Sequence, residues 1–308
     1  MNKKQTTIQP QLQSPLLKVL YQEYDQLIKA RNLATEGTGA YQLAVKEFFL
    51  WLEHQGITRI NRITTALMID YYEYLRFRPC KRKEGTLSES MINQHLFSLR
   101  MLVDYLLDTG KLLSAVIIPA NNPGTKKERD TITQKEAELL YKQCQTKKEK
   151  AILAVAYGCG LRRSEMEDLN LNDINFSNGI LVVREGKNRK RRDVPMSDSV
   201  MRDIRDYFIY ERPNYLKENN SLELALFVNN KGKRMDGDHM NEVLKEIVAR
   251  TKNHKLLQKE ITLHSLRHSI AMHLLENGAD LEFIRDFLGH VQIDTSHIYA
   301  RKNKLRNK

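Results

Sequence analysis

Apolar residues return at helical spacing four times in the first third of the chain. Leu16, Leu17, Leu20, Tyr24, Leu27 and Ile28 form one stripe. Leu43, Val45, Phe48, Phe49 and Leu52 form a second, followed by Gly56 in the position that commonly ends a helix. A third helix is predicted from about Thr64 to Phe77, carrying Leu67, Ile69, Tyr71, Tyr72 and Leu75. The fourth stripe is the most regular: Ile92, Leu96, Leu99, Val103 and Leu106 step by four, three, four and three before Gly110. Four amphipathic helices with short connections predict a small all-α domain over 12–118.

Residues 119–130 combine two prolines, a glycine and mixed charge, a composition that holds no regular structure and suits a linker. Helical patterning resumes after Thr133, which with Glu136 forms a predicted capping box. From there to residue 308 the pattern is mixed. Helices are predicted over about 133–143 and 147–158, and a short one opens at Gly160-Leu-Arg-Arg-Ser-Glu165. Residues 179–184 and 192–196 read as two strands flanking a turn at 186–190, with a third strand at Leu226–Val228. The remainder is helical. The predicted class is mainly α with a small β-sheet.

Composition narrows the function. Of 308 residues, 41% are hydrophobic and 29% charged, which fits a folded protein rather than a disordered one. The formal net charge of +12 favours a polyanionic partner, without separating DNA from RNA or an anionic membrane. Cys80, Cys144 and Cys159 form no CxxC pair, so neither a disulfide framework nor a cysteine zinc site is expected. The first residues lack the apolar core of a signal peptide, and no apolar run is long enough to span a bilayer. A cytoplasmic protein with no membrane partner is expected.

Candidate chemistry concentrates in the second part. His264, Arg267 and His268 stand at i, i+3 and i+4 and share one face of a predicted helix, offering donors to a single anion. A zinc site is the rival use of His264 and His268, but no HExxH or third ligand accompanies them. The plain alternative for His268 is a packed structural histidine. Arg162 and Arg163 follow two glycines at a predicted helix start, where phosphate is favoured. Glu165, one turn on, is placed to hold an arginine or simply to complement the helix dipole. Lys187 lies in the basic run that ends at Arg192, where a hairpin tip could bring a general acid into a groove. Lys81, Arg82 and Lys83 offer phosphate contacts or an ordinary solvated loop. His290 closes a helix after Leu288-Gly289, and Tyr299 follows nine residues later. A phenol with a free pKa of roughly 10 becomes a nucleophile only when its proton and the developing charge are managed.

In this order, Gly160–Glu165, the Lys187–Met196 hairpin, His-x-x-Arg-His at 264–268, Leu-Gly-His at 288–290 and Tyr299 resemble the tyrosine recombinase and phage-integrase family. Size and layout are most like the Xer-type members. The resemblance implies an N-terminal helical core-binding (SAM-like) DNA-binding domain and a C-terminal catalytic domain. It implies Arg162, Lys187, His264, Arg267, His290 and Tyr299 as catalytic, Glu165 and His268 as supporting, and Lys190 as the alternative hairpin lysine. Arg163, Arg189 and Lys190, with Lys81, Arg82 and Lys83, are expected at DNA. The implied reaction is strand cleavage and rejoining through a 3′-phosphotyrosyl bond and a Holliday junction, with no metal, ATP or other cofactor. The implied partner is double-stranded DNA carrying inverted-repeat sites, bound by a homo- or hetero-tetramer, with a monomer expected off DNA.

One departure and three rivals bear on that expectation. Nine residues follow Tyr299, with Leu305 their only large apolar member, whereas Xer-type relatives carry a longer segment that packs on a neighbouring subunit. The exchange of C-termini is therefore expected to be absent or abbreviated, with DNA contact or disorder in its place. A non-catalytic DNA-binding factor, a type IB topoisomerase and a metal-dependent nuclease share parts of the pattern.

Overall fold

The computed structural model describes residues 11–31, 39–80, 84–121, 130–184, 191–216 and 223–289. The chain divides into two compact units, Met1–Lys127 and Glu128–Lys308.

The first unit is built on four helices: α1 (Pro15–Ala30), α2 (Ala40–His54), α3 (Thr65–Phe77) and α4 (Glu89–Asp108). Their starts are set by local chemistry. The hydroxyls of Ser14, Thr64 and Ser88 each accept an N–H from the first turn of the helix they precede, and Pro15 supplies a φ already suited to that turn. Gly56 and Gly110 follow α2 and α4 with φ of +69° and +67°, the left-handed backbone that closes a helix. All five residues of the α4 stripe are buried. The predicted stripes are wider than the faces that pack: Leu16, Leu43 and Ile69 are exposed, Leu43 and Ile69 because they project from the sides of their helices turned away from the core.

A polar group is enclosed in this core. Glu47 of α2 takes Arg78 Nε at 2.5 Å and Nη2 at 2.9 Å, and lies 4.0 Å from His95 Nε2. The other ring nitrogen of His95 meets the Tyr71 hydroxyl at 3.4 Å. Burial pushes the His95 pKa down to about 4, and the Arg78 charge adds to it, so the imidazole is neutral.

The second unit runs α5 (Gln134–Gln143), α6 (Lys147–Leu153), α7 (Arg163–Asp168), β1 (Ile174–Asn175), β2 (Ile180–Val183), β3 (Arg192–Pro195), α8 (Asp198–Tyr210), α9 (Gly237–Arg250), α10 (His254–Leu257), α11 (Leu263–Glu276) and α12 (Leu281–Leu288). Thr133 and Glu136 form the capping box that starts α5. The helix predicted over 147–158 is α-helical only to Leu153 and then widens into a π turn, Ala154–Gly158. At its end Gly158 lies against Val200, where a β-carbon would collide with the valine side chain. The sheet is antiparallel in the order β1-β2-β3, with Leu181 opposite Val194.

One expectation is corrected here. Leu226–Val228 is not a sheet strand. Ala225 and Val228 make only isolated bridges, to Asn170 and Arg234, and the third strand is Ile174–Asn175. Leu226, Phe227 and Val228 are buried in the core, so their apolar run reports burial rather than sheet pairing. Among the described residues no helix is long and apolar enough to cross a membrane.

Candidate active site

The site begins at the tight turn after the π segment. Gly160 has φ +60°, and a β-carbon there would lie 2.8 Å from Leu288 Cδ2 and 3.2 Å from Ile270 Cγ2. Glycine is therefore required both by backbone sign and by the approach of α11 and α12. The turn delivers Arg162 to the start of α7. The backbone N–H of Arg162 donates to Glu165 Oε2 at 2.8 Å, so the exposed end of this six-residue helix is satisfied by its own carboxylate.

Glu165 is the centre of the group. Its side chain is 2% exposed. Arg162 Nη1 donates to its Oε1 at 2.5 Å. Arg192, from the start of β3, gives a two-pronged pair, Nη1 to Oε1 at 2.9 Å and Nη2 to Oε2 at 2.8 Å. Arg267 of α11 brings Nη1 to 3.7 Å from Oε2. Burial works to raise the Glu165 pKa, but the Arg192 hydrogen bonds and charge, the Arg162 N–H and the Arg267 charge outweigh it and bring it to about 2. Three guanidinium groups surround one carboxylate, leaving a surplus of two positive charges. Burial and the Arg162 charge accordingly lower the pKa of Arg267.

The same three arginines grip the end of α12. Arg192 Nε donates to Phe287 O at 3.1 Å, Arg267 Nη2 donates to Leu288 O, and Arg162 Nη2 donates to Gly289 O at 2.9 Å. Three successive carbonyls that the helix itself leaves unbonded thus meet three cations, which the helix dipole favours. Arg267 is tied at its other nitrogen to Gly160 O. Four segments remote in sequence are joined by these bonds.

The remaining described candidates lie on α11 and at the start of α7. On α11, His264 is exposed, Arg267 buried and His268 half-buried. Arg163 points away from Glu165: its guanidinium pairs with Asp238 and its stem crosses Gly237, where a β-carbon would collide with it. His273 is buried and meets the Tyr157 hydroxyl at 2.7 Å. Among the described residues no group of three His, Cys, Asp or Glu side chains could hold a metal ion. Lys187, His290 and Tyr299 lie outside the described residues, as do Lys81, Arg82, Lys83, Arg189 and Lys190.

The sequence matches the description "Phage integrase family" over residues 130–306 and "Phage integrase, N-terminal SAM-like domain" over residues 21–110. The chain belongs to the phage integrase family. This tyrosine recombinase is 35% identical over 238 residues to tyrosine recombinase XerD of Oceanobacillus iheyensis, covering 73% of this chain and 76% of the relative. It is 31% identical to XerD of Corynebacterium glutamicum, with 88% of each chain covered. In fold it is similar to the Tn1549 transposon integrase in complex with circular intermediate DNA, with TM-score 0.67, 17% identity and coverage of 90% and 93% of the two chains. It is likewise similar to XerH site-specific recombinase bound to difH substrate, with TM-score 0.63, 21% identity and coverage of 91% and 80%.

One residue of the recombinase's arginine group escaped the sequence reading. Arg192 entered it as the end of a charged run and the first residue of a predicted strand, with no role at the site. The signal was present in strand periodicity: Arg192 shares a face with Val194 and Met196, both buried, so a cation was directed at an apolar core.

Proposed function

We propose that this recombinase cleaves and rejoins double-stranded DNA at specific inverted-repeat sites through a covalent bond to Tyr299. The observation that carries the reading is the cluster of Arg162, Arg192 and Arg267 on one buried carboxylate, with a surplus of two positive charges. A scissile phosphate supplies the missing anion. Support comes also from relatives named as tyrosine recombinases and from the folds of recombinases solved in complex with DNA.

In this reading the Tyr299 hydroxyl attacks phosphorus, forming a 3′-phosphotyrosyl ester and releasing a 5′-hydroxyl. Arg162 and Arg267 neutralise the non-bridging oxygens as charge grows on them, each contributing about 10²–10³ in rate by analogy with oxyanion-hole donors. Lys187, or Lys190 if the hairpin is shifted, protonates the leaving 5′ oxygen. His264 and His290 hydrogen-bond the phosphate or take the tyrosine proton. Ester exchange conserves the bond energy, so neither ATP nor metal enters the balance. The 5′-hydroxyl of a partner strand reverses the step, and two successive exchanges pass through a Holliday junction. Four cleavages at two sites call for four protomers on DNA, assembled from monomers.

The test is covalent capture. The full chain is incubated in EDTA with lightly nicked genomic DNA of the organism that encodes it. Adducts that survive denaturant are recovered and their DNA sequenced. The expected result is enrichment of one inverted-repeat duplex and loss of all adduct in Tyr299→Phe. Absence of any wild-type adduct favours a non-catalytic DNA-binding factor, adducts without site preference favour a topoisomerase, and cleavage abolished by EDTA favours a nuclease.

A further inference from the structure

Arg192 is assigned no part in the reaction set out above, yet its side chain makes three hydrogen bonds to the site's framework. It stands at the first position of β3, immediately after the hairpin that carries Lys187. Both terminal nitrogens bond the two oxygens of Glu165, at 2.9 and 2.8 Å. Its Nε holds Phe287 O at 3.1 Å. Its stem lies against Gly289, whose φ is +66° and where a β-carbon would stand 2.9 Å from both Arg192 Cδ and Nη1. The side chain is 9% exposed, so it is screened from solvent rather than presented to a ligand.

The chemistry of that placement is specific. Glu165 is the carboxylate that Arg162 leans on, and without Arg192 its one hydrogen-bonded side-chain cation would be Arg162, with Arg267 at 3.7 Å, so that Arg162 would be drawn inward. Arg192 covers both oxygens by the bidentate geometry only a guanidinium provides, and leaves Arg162 held by single bonds to Glu165 and to Gly289 O. A lysine could not bond both oxygens and the Phe287 carbonyl in one plane. Arg192 also fixes the distance between the base of the hairpin and the backbone that leads into His290. The start of β3, the first turn of α7 and the end of α12 are three segments remote in sequence, and Arg192 is part of the first and bonded to the other two.

We infer that Arg192 is a positioning residue for strand cleavage, latching the start of β3 and the Phe287–Gly289 backbone to the Glu165 carboxylate so that Arg162 is set at the phosphate. The inference rests on the function proposed above.

The experiment uses the full chain and the duplex recovered by covalent capture, nicked beside the cleavage position. Duplex affinity and single-turnover adduct formation are measured for Arg192→Gln, Arg192→Lys, Glu165→Gln and the double variant Arg192→Gln/Glu165→Gln. Misplacement of catalytic groups costs about 100-fold in rate. Adduct formation by Arg192→Gln is therefore expected to fall about 100-fold, with duplex affinity changed less than about threefold. Arg192→Lys, which keeps the charge and loses the fork, is expected to fall at least about tenfold. The double variant is expected to be no slower than the slower single variant, because both remove one latch. Wild-type rates in either Arg192 variant, or losses that multiply in the double variant, overturn the inference while leaving the Tyr299 chemistry standing. Should Arg192→Gln fail to fold, as judged by thermal unfolding, Arg192→Lys decides alone. If wild type forms no adduct, the functional reading itself fails and the inference falls with it.

Discussion

Arg267 donates to the backbone carbonyl of Gly160, and so fastens the middle of α11 to the turn that launches Arg162. The bond spans 107 residues of sequence and is buried. It makes the two arginines proposed to bind phosphate mechanically dependent on each other.

That dependence predicts a steep penalty for a conservative change. Arg267→Lys retains the charge but cannot reach Gly160 O and Leu288 O together. Buried carbonyls left without a donor each cost about 1–3 kcal/mol. The expected outcome is a lowered unfolding midpoint and a loss of about 10² or more in single-turnover adduct formation, read on the nicked duplex.

Gly289 is required twice, by its φ of +66° and by the 2.9 Å approach of the Arg192 stem. Gly289→Ala is expected to destabilise the chain by about 1–3 kcal/mol and to slow adduct formation, because Arg192 must shift to admit the methyl group. Gly278 has a similar φ of +84° with nothing within 4 Å of an added β-carbon. Gly278→Ala thus carries the backbone penalty alone, about 1 kcal/mol by denaturant unfolding, with adduct formation unchanged.

The depressed pKa of Glu165 has a pH signature. Its folded pKa near 2 lies below the ordinary value of 4.5. The unfolded chain therefore binds more protons in that interval, and stability falls as pH drops from about 4.5 towards 2. The contribution is on the order of 3 kcal/mol above that window. Denaturant titrations of wild type and Glu165→Gln should differ most near pH 6 and converge on acidification. A constant gap would place the carboxylate elsewhere than in the arginine group.

His95 gives the helical unit a separate acid response. Its folded pKa of about 4 lies below the ordinary 6.5. The stability that comes from keeping it neutral is complete above about pH 6.5 and is lost as pH falls through 4. Unfolding followed by Trp51 fluorescence, the single tryptophan and one packed beside Tyr71, should weaken across this range. His95→Gln should flatten the response.

DNA binding by +12 net charge predicts a steep salt dependence, since each neutralised phosphate releases counterions. Affinity for the recovered duplex should fall by orders of magnitude between 50 and 200 mM salt, by about 10³ if six phosphates are contacted. A flat response would argue against a duplex substrate.

The amino-acid order by itself determined the four-helix stripes, the capping boxes, the hairpin strands and the family, because these rest on spacing within one segment. Ile92 to Leu106 reads as a helix wherever it is placed, and Thr133 with Glu136 caps α5 using bonds only three residues apart. Spacing cannot say whether a short apolar run pairs into a sheet, so Leu226–Val228 was read as a strand, while the two-residue strand Ile174–Asn175 is too short to carry a readable pattern. Nor could it show that Arg162, Arg192 and Arg267 converge on Glu165 and on three consecutive carbonyls at residues 287–289. A charge in a linear pattern looks solvated until the fold removes the water. Burial then forces each guanidinium to find an anion or a carbonyl, and which one it finds depends on segments more than a hundred residues away.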